Sequence, residues 1–162
     1  MTTRRDSHGA EATIDGRYLH VADRIQNVME VFDTDSLQRV NTYDLVSIDG
    51  KSGRSGPAAA CLRRSVLDDA GLQRNDPAPD LLDITLDGKY LMIAFRGPRP
   101  VSYTSQGSSP GVGIVELTED GKAGKLIGVL RSSNNELIYL PPSHGYTGAE
   151  RSDIHGVIVV KK

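Results

Sequence analysis

Thr13-Ile14-Asp15-Gly16-Arg17-Tyr18-Leu19-His20-Val21-Ala22-Asp23-Arg24 returns 72 residues later as Thr85-Leu86-Asp87-Gly88-Lys89-Tyr90-Leu91-Met92-Ile93-Ala94-Phe95-Arg96. Seven of the twelve positions are identical and three more are conservative. Self-similarity on this scale marks a repeat architecture. Asp-Gly is a tight-turn dipeptide, because glycine accepts positive φ and aspartate bonds nearby backbone. In each copy it joins a strand ending near Ile14 or Leu86 to one starting at Tyr18 or Tyr90. A third apolar run follows at 28–32 and 112–117. After polar turns at 33–36 and 118–124 comes a fourth, at 37–45 and 125–130. Apolar residues alternate with period two, the pattern of a half-buried strand. Each repeat is therefore four short antiparallel strands, a to d.

Such a unit is one blade of a β-propeller. The predicted fold class is all-β, with about two blades and one terminal strand. Asp6-Ser7-His8-Gly9 precedes the first strand a, and Asp153-Ile154-His155-Gly156 echoes it before a last apolar run at 157–160. The middle copy, Asp80-Leu81-Leu82-Asp83, reads as the same entry with His-Gly lost. The expected organisation is a single partial propeller over 1–162. Blade 1 takes about 6–45, an insertion 46–79, blade 2 about 80–131, a linker 132–152 and the terminal strand 153–162. Within the insertion, 57–70 reads as a short helix: Pro57 suits a first helical position, Leu62, Val66 and Ala70 share a face, and Gly71 can cap the end. Propellers close with about four to eight blades. The expectation is thus the C-terminal portion of a longer propeller, or a subunit completed by another chain.

The two repeats resemble the YVTN-type, WD40-like bacterial β-propellers. The residues that carry the resemblance are Asp15-Gly16-Arg17-Tyr18-Leu19-His20-Val21-Ala22-Asp23 with Val31-Phe32-Asp33, and Asp87-Gly88-Lys89-Tyr90-Leu91-Met92-Ile93-Ala94. The signature asparagine is absent, its place taken by Asp23 and Phe95. The resemblance implies a fold more than an activity, since propellers host many functions, and it implies an exported protein, periplasmic or extracellular.

Composition narrows the partners. Nineteen basic and 21 acidic residues are interspersed, with a net charge of −2, so no basic stripe points to nucleic acid. Nothing approaches the roughly 20 apolar residues of a membrane span. The lone Cys61 excludes an internal disulfide and a multi-cysteine zinc site.

Strands alternate in direction, so the b–c and d–a connections emerge on one face, where both long insertions (46–79 and 97–111) fall. Binding concentrates in long loops on a rigid scaffold, and the candidate ligand-binding residues lie at this end. His8 and His155 could offer imidazoles to a metal or substrate at the channel mouth, with Asp6 and Asp153 orienting them. The alternative is that Asp caps a turn, Gly permits tight entry and His bonds locally. Arg24 and Arg96, equivalent in the two repeats, could hold an anion together or stand exposed. No catalytic residue emerges. Gly107-Ser108-Ser109-Pro110-Gly111 spells a nucleophile elbow, but Pro110 has no N–H for the oxyanion hole. Gly121-Lys122-Ala123-Gly124-Lys125 lacks P-loop spacing, and Asp33-Thr34-Asp35 lacks the later ligands of a calcium loop. The function expected is a non-catalytic propeller module, for binding or as a structural subunit, with other blades or a protein as partner. The alternative is a fragment of a propeller hydrolase or oxidoreductase with a metal or cofactor at the channel mouth.

Overall fold

Both copies of the Thr-x-Asp-Gly-x-Tyr segment fold into the same hairpin in the computed structural model, which describes residues 5–45, 66–67, 73–74, 77–97, 107, 110–132 and 152–161. A first antiparallel sheet runs in chain order through β1 (Ser7–Ala12), β2 (Tyr18–Asp23), β3 (Val28–Asp33) and β4 (Arg39–Asp44). A short pair follows, β5 (Val66–Leu67) with β6 (Gln73–Arg74). The second sheet runs through β7 (Pro79–Ile84), β8 (Tyr90–Phe95), β9 (Gly111–Thr118) and β10 (Ala123–Arg131). These are two blades.

Threonine shapes each hairpin. The Thr13 N–H donates to the Tyr18 carbonyl at 2.8 Å, and its hydroxyl oxygen accepts the Tyr18 N–H at 3.0 Å. That hydroxyl in turn donates to Asp15 at 2.6 Å, and Gly16 closes the turn at φ 74°. Thr85, Asp87, Gly88 and Tyr90 repeat the arrangement, with the hydroxyl 2.7 Å from Asp87 and Gly88 at φ 70°. The strands accordingly stop at Ala12 and Ile84, two residues before the predicted ends, because the threonines serve the turn rather than the ladder. Likewise β4 starts at Arg39, since Leu37 sits in the preceding turn at φ 57°.

The sheets stack with β1 beside β7 and β4 beside β10. Met29 and Leu45 pack there against Leu82, Leu91, Ile93 and Val115. Burying these side chains is the main favourable term in holding the sheets together. β2 presents Tyr18, His20 and Ala22 to the second sheet, whereas β8 meets it with Leu91, Ile93 and Phe95. By the 72-residue repeat these are opposite faces, so the blades stack head to tail. Polar contacts fix the register of the stack. The His20 Nε2 donates to the Gly121 carbonyl at 2.8 Å, leaving Nδ1 to accept the Tyr43 hydroxyl at 3.0 Å. Asn27 accepts the Ala78 N–H at 3.0 Å.

The helix expected within the insertion meets the described residues only near its end. Most of 57–70, including Cys61, lies outside the described residues; Val66 and Leu67, expected on a helix, instead pair with Arg74 and Gln73. The tail at 153–160 takes the place of a third strand a beside β7, through the Leu81 N–H to the His155 carbonyl at 3.3 Å. Among the described residues no strand pairs with it as β2 pairs with β1.

Candidate functional site

The starts of β1, β7 and the tail converge at the end of the sheets where the b–c and d–a connections emerge, and their polar side chains meet around Asp80. Asp80 is fully buried. His8 Nε2 lies 3.1 Å from its Oδ1, and His155 Nε2 lies 3.6 Å from its Oδ2. The two imidazole rings are 5.8 Å apart, centre to centre, and inclined at 57°. Arg96 Nη1 bonds directly to Asp80 Oδ2, and Arg24 Nη1 stands 3.8 Å from the same oxygen.

Local backbone geometry aims these groups. The β1–β2 ladder slips between Ser7 and Ala10, and the β7–β8 ladder slips between Pro79 and Leu82. Each slip is a bulge, which bends a strand and redirects a side chain. His8 lies in the first and Asp80 in the second. Gly9 lets the strands come this close: a Cβ there would overlap the Asp80 carbonyl oxygen. That gives the His-Gly pair a physical reason, close approach of β1 to β7.

All six residues singled out from the sequence gather here, with Asp6 paired to Arg24 and Asp153 paired to Arg96. Asp6 does not orient His8; its carboxylate takes Arg24 Nε at 3.0 Å and Nη2 at 2.8 Å. Asp153 takes Arg96 Nε at 2.8 Å and Nη2 at 2.7 Å, and the Gly97 N–H at 3.1 Å. Arg24 and Arg96 are thus engaged by carboxylates rather than offered together to an anion. The hydrogen bonds of Asp153, first among the causes, hold the Arg96 guanidinium above its ordinary pKa, so it stays charged.

Asp80, the hub, was missed by the sequence reading. Aligning Asp80-Leu81-Leu82-Asp83 with Asp6-Ser7-His8-Gly9 set the copies two residues out of step. The Arg24 N–H donates to the Asp6 carbonyl as the Arg96 N–H donates to that of Ala78, so Asp6 matches Ala78 and His8 matches Asp80. The signal was present: 72 residues on from His8 stands Asp80.

No described helix is long and apolar enough to cross a membrane. Ser109 lies outside the described residues. Comparisons with known proteins add little. No protein-family profile matches the chain, and no curated protein matches it. Among solved structures, the hydrazine synthase of Kuenenia stuttgartiensis is 18% identical, with a TM-score of 0.31, over 80% of this chain and 39% of that one. A protein provisionally named 6-phosphogluconolactonase from Bacteroides fragilis is 14% identical, with a TM-score of 0.30, over 87% of this chain and 46% of that one. The chain thus spans less than half the length of either.

Proposed function

We propose that this chain is a propeller module that binds or supports other proteins and packs against further blades, supplied by a longer polypeptide or another subunit. The observation that carries this is the head-to-tail stack. One face of the first blade meets the opposite face of the second, so the second blade's own equivalent of the first face is turned toward a next blade. Heterologous stacking of this kind continues into a closed ring where the rotation between units permits, and into an open array where it does not. The tail runs beside β7, and its Ile158 and Val160 are 78% and 74% exposed. Apolar side chains so exposed on an extended segment are natural contacts for a partner. The YVTN-like turns support the same reading at the level of sequence.

Sedimentation velocity over a range of protein concentrations tests it. The expected result is self-association through the open faces, reduced by Ile158→Lys with Val160→Lys. A stably folded monomer at every concentration overturns the proposal.

A further inference from the structure

We infer that His8, Asp80 and His155 form a binding site for one divalent transition-metal ion, of the zinc class. One ligand atom from each of the three residues lies within 4.8 Å of the others. Nitrogen and carboxylate ligands bind zinc at about 2.0–2.2 Å, which places tetrahedral neighbours roughly 3.4 Å apart. His8 Nε2 lies 3.1 Å from Asp80 Oδ1 and His155 Nε2 lies 3.6 Å from Oδ2 of the same carboxylate, both close to that value.

A second observation points to a missing ligand. Asp80 Oδ1 is buried and has no hydrogen-bond donor. His8 Nε2 is near it but not aligned to donate. A buried carboxylate oxygen without a partner is costly, and both guanidiniums approach the other oxygen, Oδ2. Oδ1 is therefore the free lone-pair site; His8 Nε2 lies beside it, and His155 Nε2 stands by the same carboxylate on its Oδ2 side.

Charge agrees with a cation. Asp6, Asp80 and Asp153 against Arg24 and Arg96 leave one more carboxylate than guanidinium around the site. Two nitrogens and one carboxylate oxygen suit zinc, nickel, copper or iron rather than calcium or magnesium, which prefer all-oxygen shells. Three protein ligands leave room for water or a ligand group, and His155, with its side chain 59% exposed, lies on the open side through which an ion would enter. The three ligands come from β1, β7 and the tail, so a bound ion would also pin the tail to both blades.

Isothermal titration of the chelator-treated full chain with Zn2+ tests the site, with Co2+ absorption as a spectroscopic report of ligand number and type. The expected result is uptake of one ion per chain, weakened at least about tenfold by His8→Gln and by His155→Gln. Asp80→Asn is expected to abolish uptake, but Asp80 also neutralises Arg96, so its loss can unfold the protein. His155→Gln, at an exposed position, is therefore the decisive variant, read with an unchanged circular-dichroism spectrum. Absence of saturable uptake, or uptake by His155→Gln with unchanged affinity and Co2+ spectrum, overturns the inference.

Discussion

Thr13 and Thr85 show how one side chain decides a local fold. Each hydroxyl satisfies a tyrosine N–H that the turn would otherwise leave without a partner, and each holds the aspartate that braces the turn. Thr13 is the more buried of the two, so Thr13→Ala is expected to lower stability by about 1–2 kcal/mol in urea unfolding. The Asp-Gly turn was legible from sequence because its chemistry is local. The threonine's part was not, since a β-branched residue beside a strand reads as strand. Asp80 escaped for a different reason. Its role depends on two neighbouring segments far away in sequence, and a short Asp-x-His-Gly echo pulled the alignment away from the true repeat.

At the scale of the element, Asp23 and Phe95 occupy the same position at the end of strand b and do different work. Asp23 Oδ1 accepts the Ile25 and Gln26 N–H groups, both at 3.0 Å, and so braces a short connection. In the second blade the equivalent N–H, that of Gly97, donates to Asp153 at 3.1 Å, and the position itself holds a buried phenylalanine. Its ring lies over Gly113, where a Cβ would overlap it. Gly113→Ala is therefore expected to cost roughly 1–3 kcal/mol through overpacking. Phe95→Leu should recover part of that cost in the double variant, a coupling readable in a double-mutant cycle. The eight blade strands were legible through their period-two alternation. The helix expected at 57–70 rested on spacing alone, and a short apolar stretch fits either period.

The molecule as a whole is held by contacts between blades, and one of them titrates. Burial, first among the causes, keeps His20 below its ordinary pKa of 6.5, while its bond to Gly121 partly offsets that. The folded state therefore holds His20 neutral where the unfolded chain takes up a proton. Stability from this residue is complete above pH 6.5 and declines as pH falls below it toward the folded value. Thermal melts at stepped pH should show that decline, and His20→Gln should flatten it. The exposed carboxylates Asp15, Asp33 and Asp87 are held below their ordinary pKa by the hydroxyl and N–H groups of their turns, so their contribution is lost only in stronger acid.

His8 and Asp80 stand at the same height on successive repeats, and His155 joins them from the tail. In such a scaffold the inferred ion site would draw its ligands from successive copies of one repeat. Each of the two copies places one side chain on a common rim, and a codon change at Asp80 would also disturb Arg96.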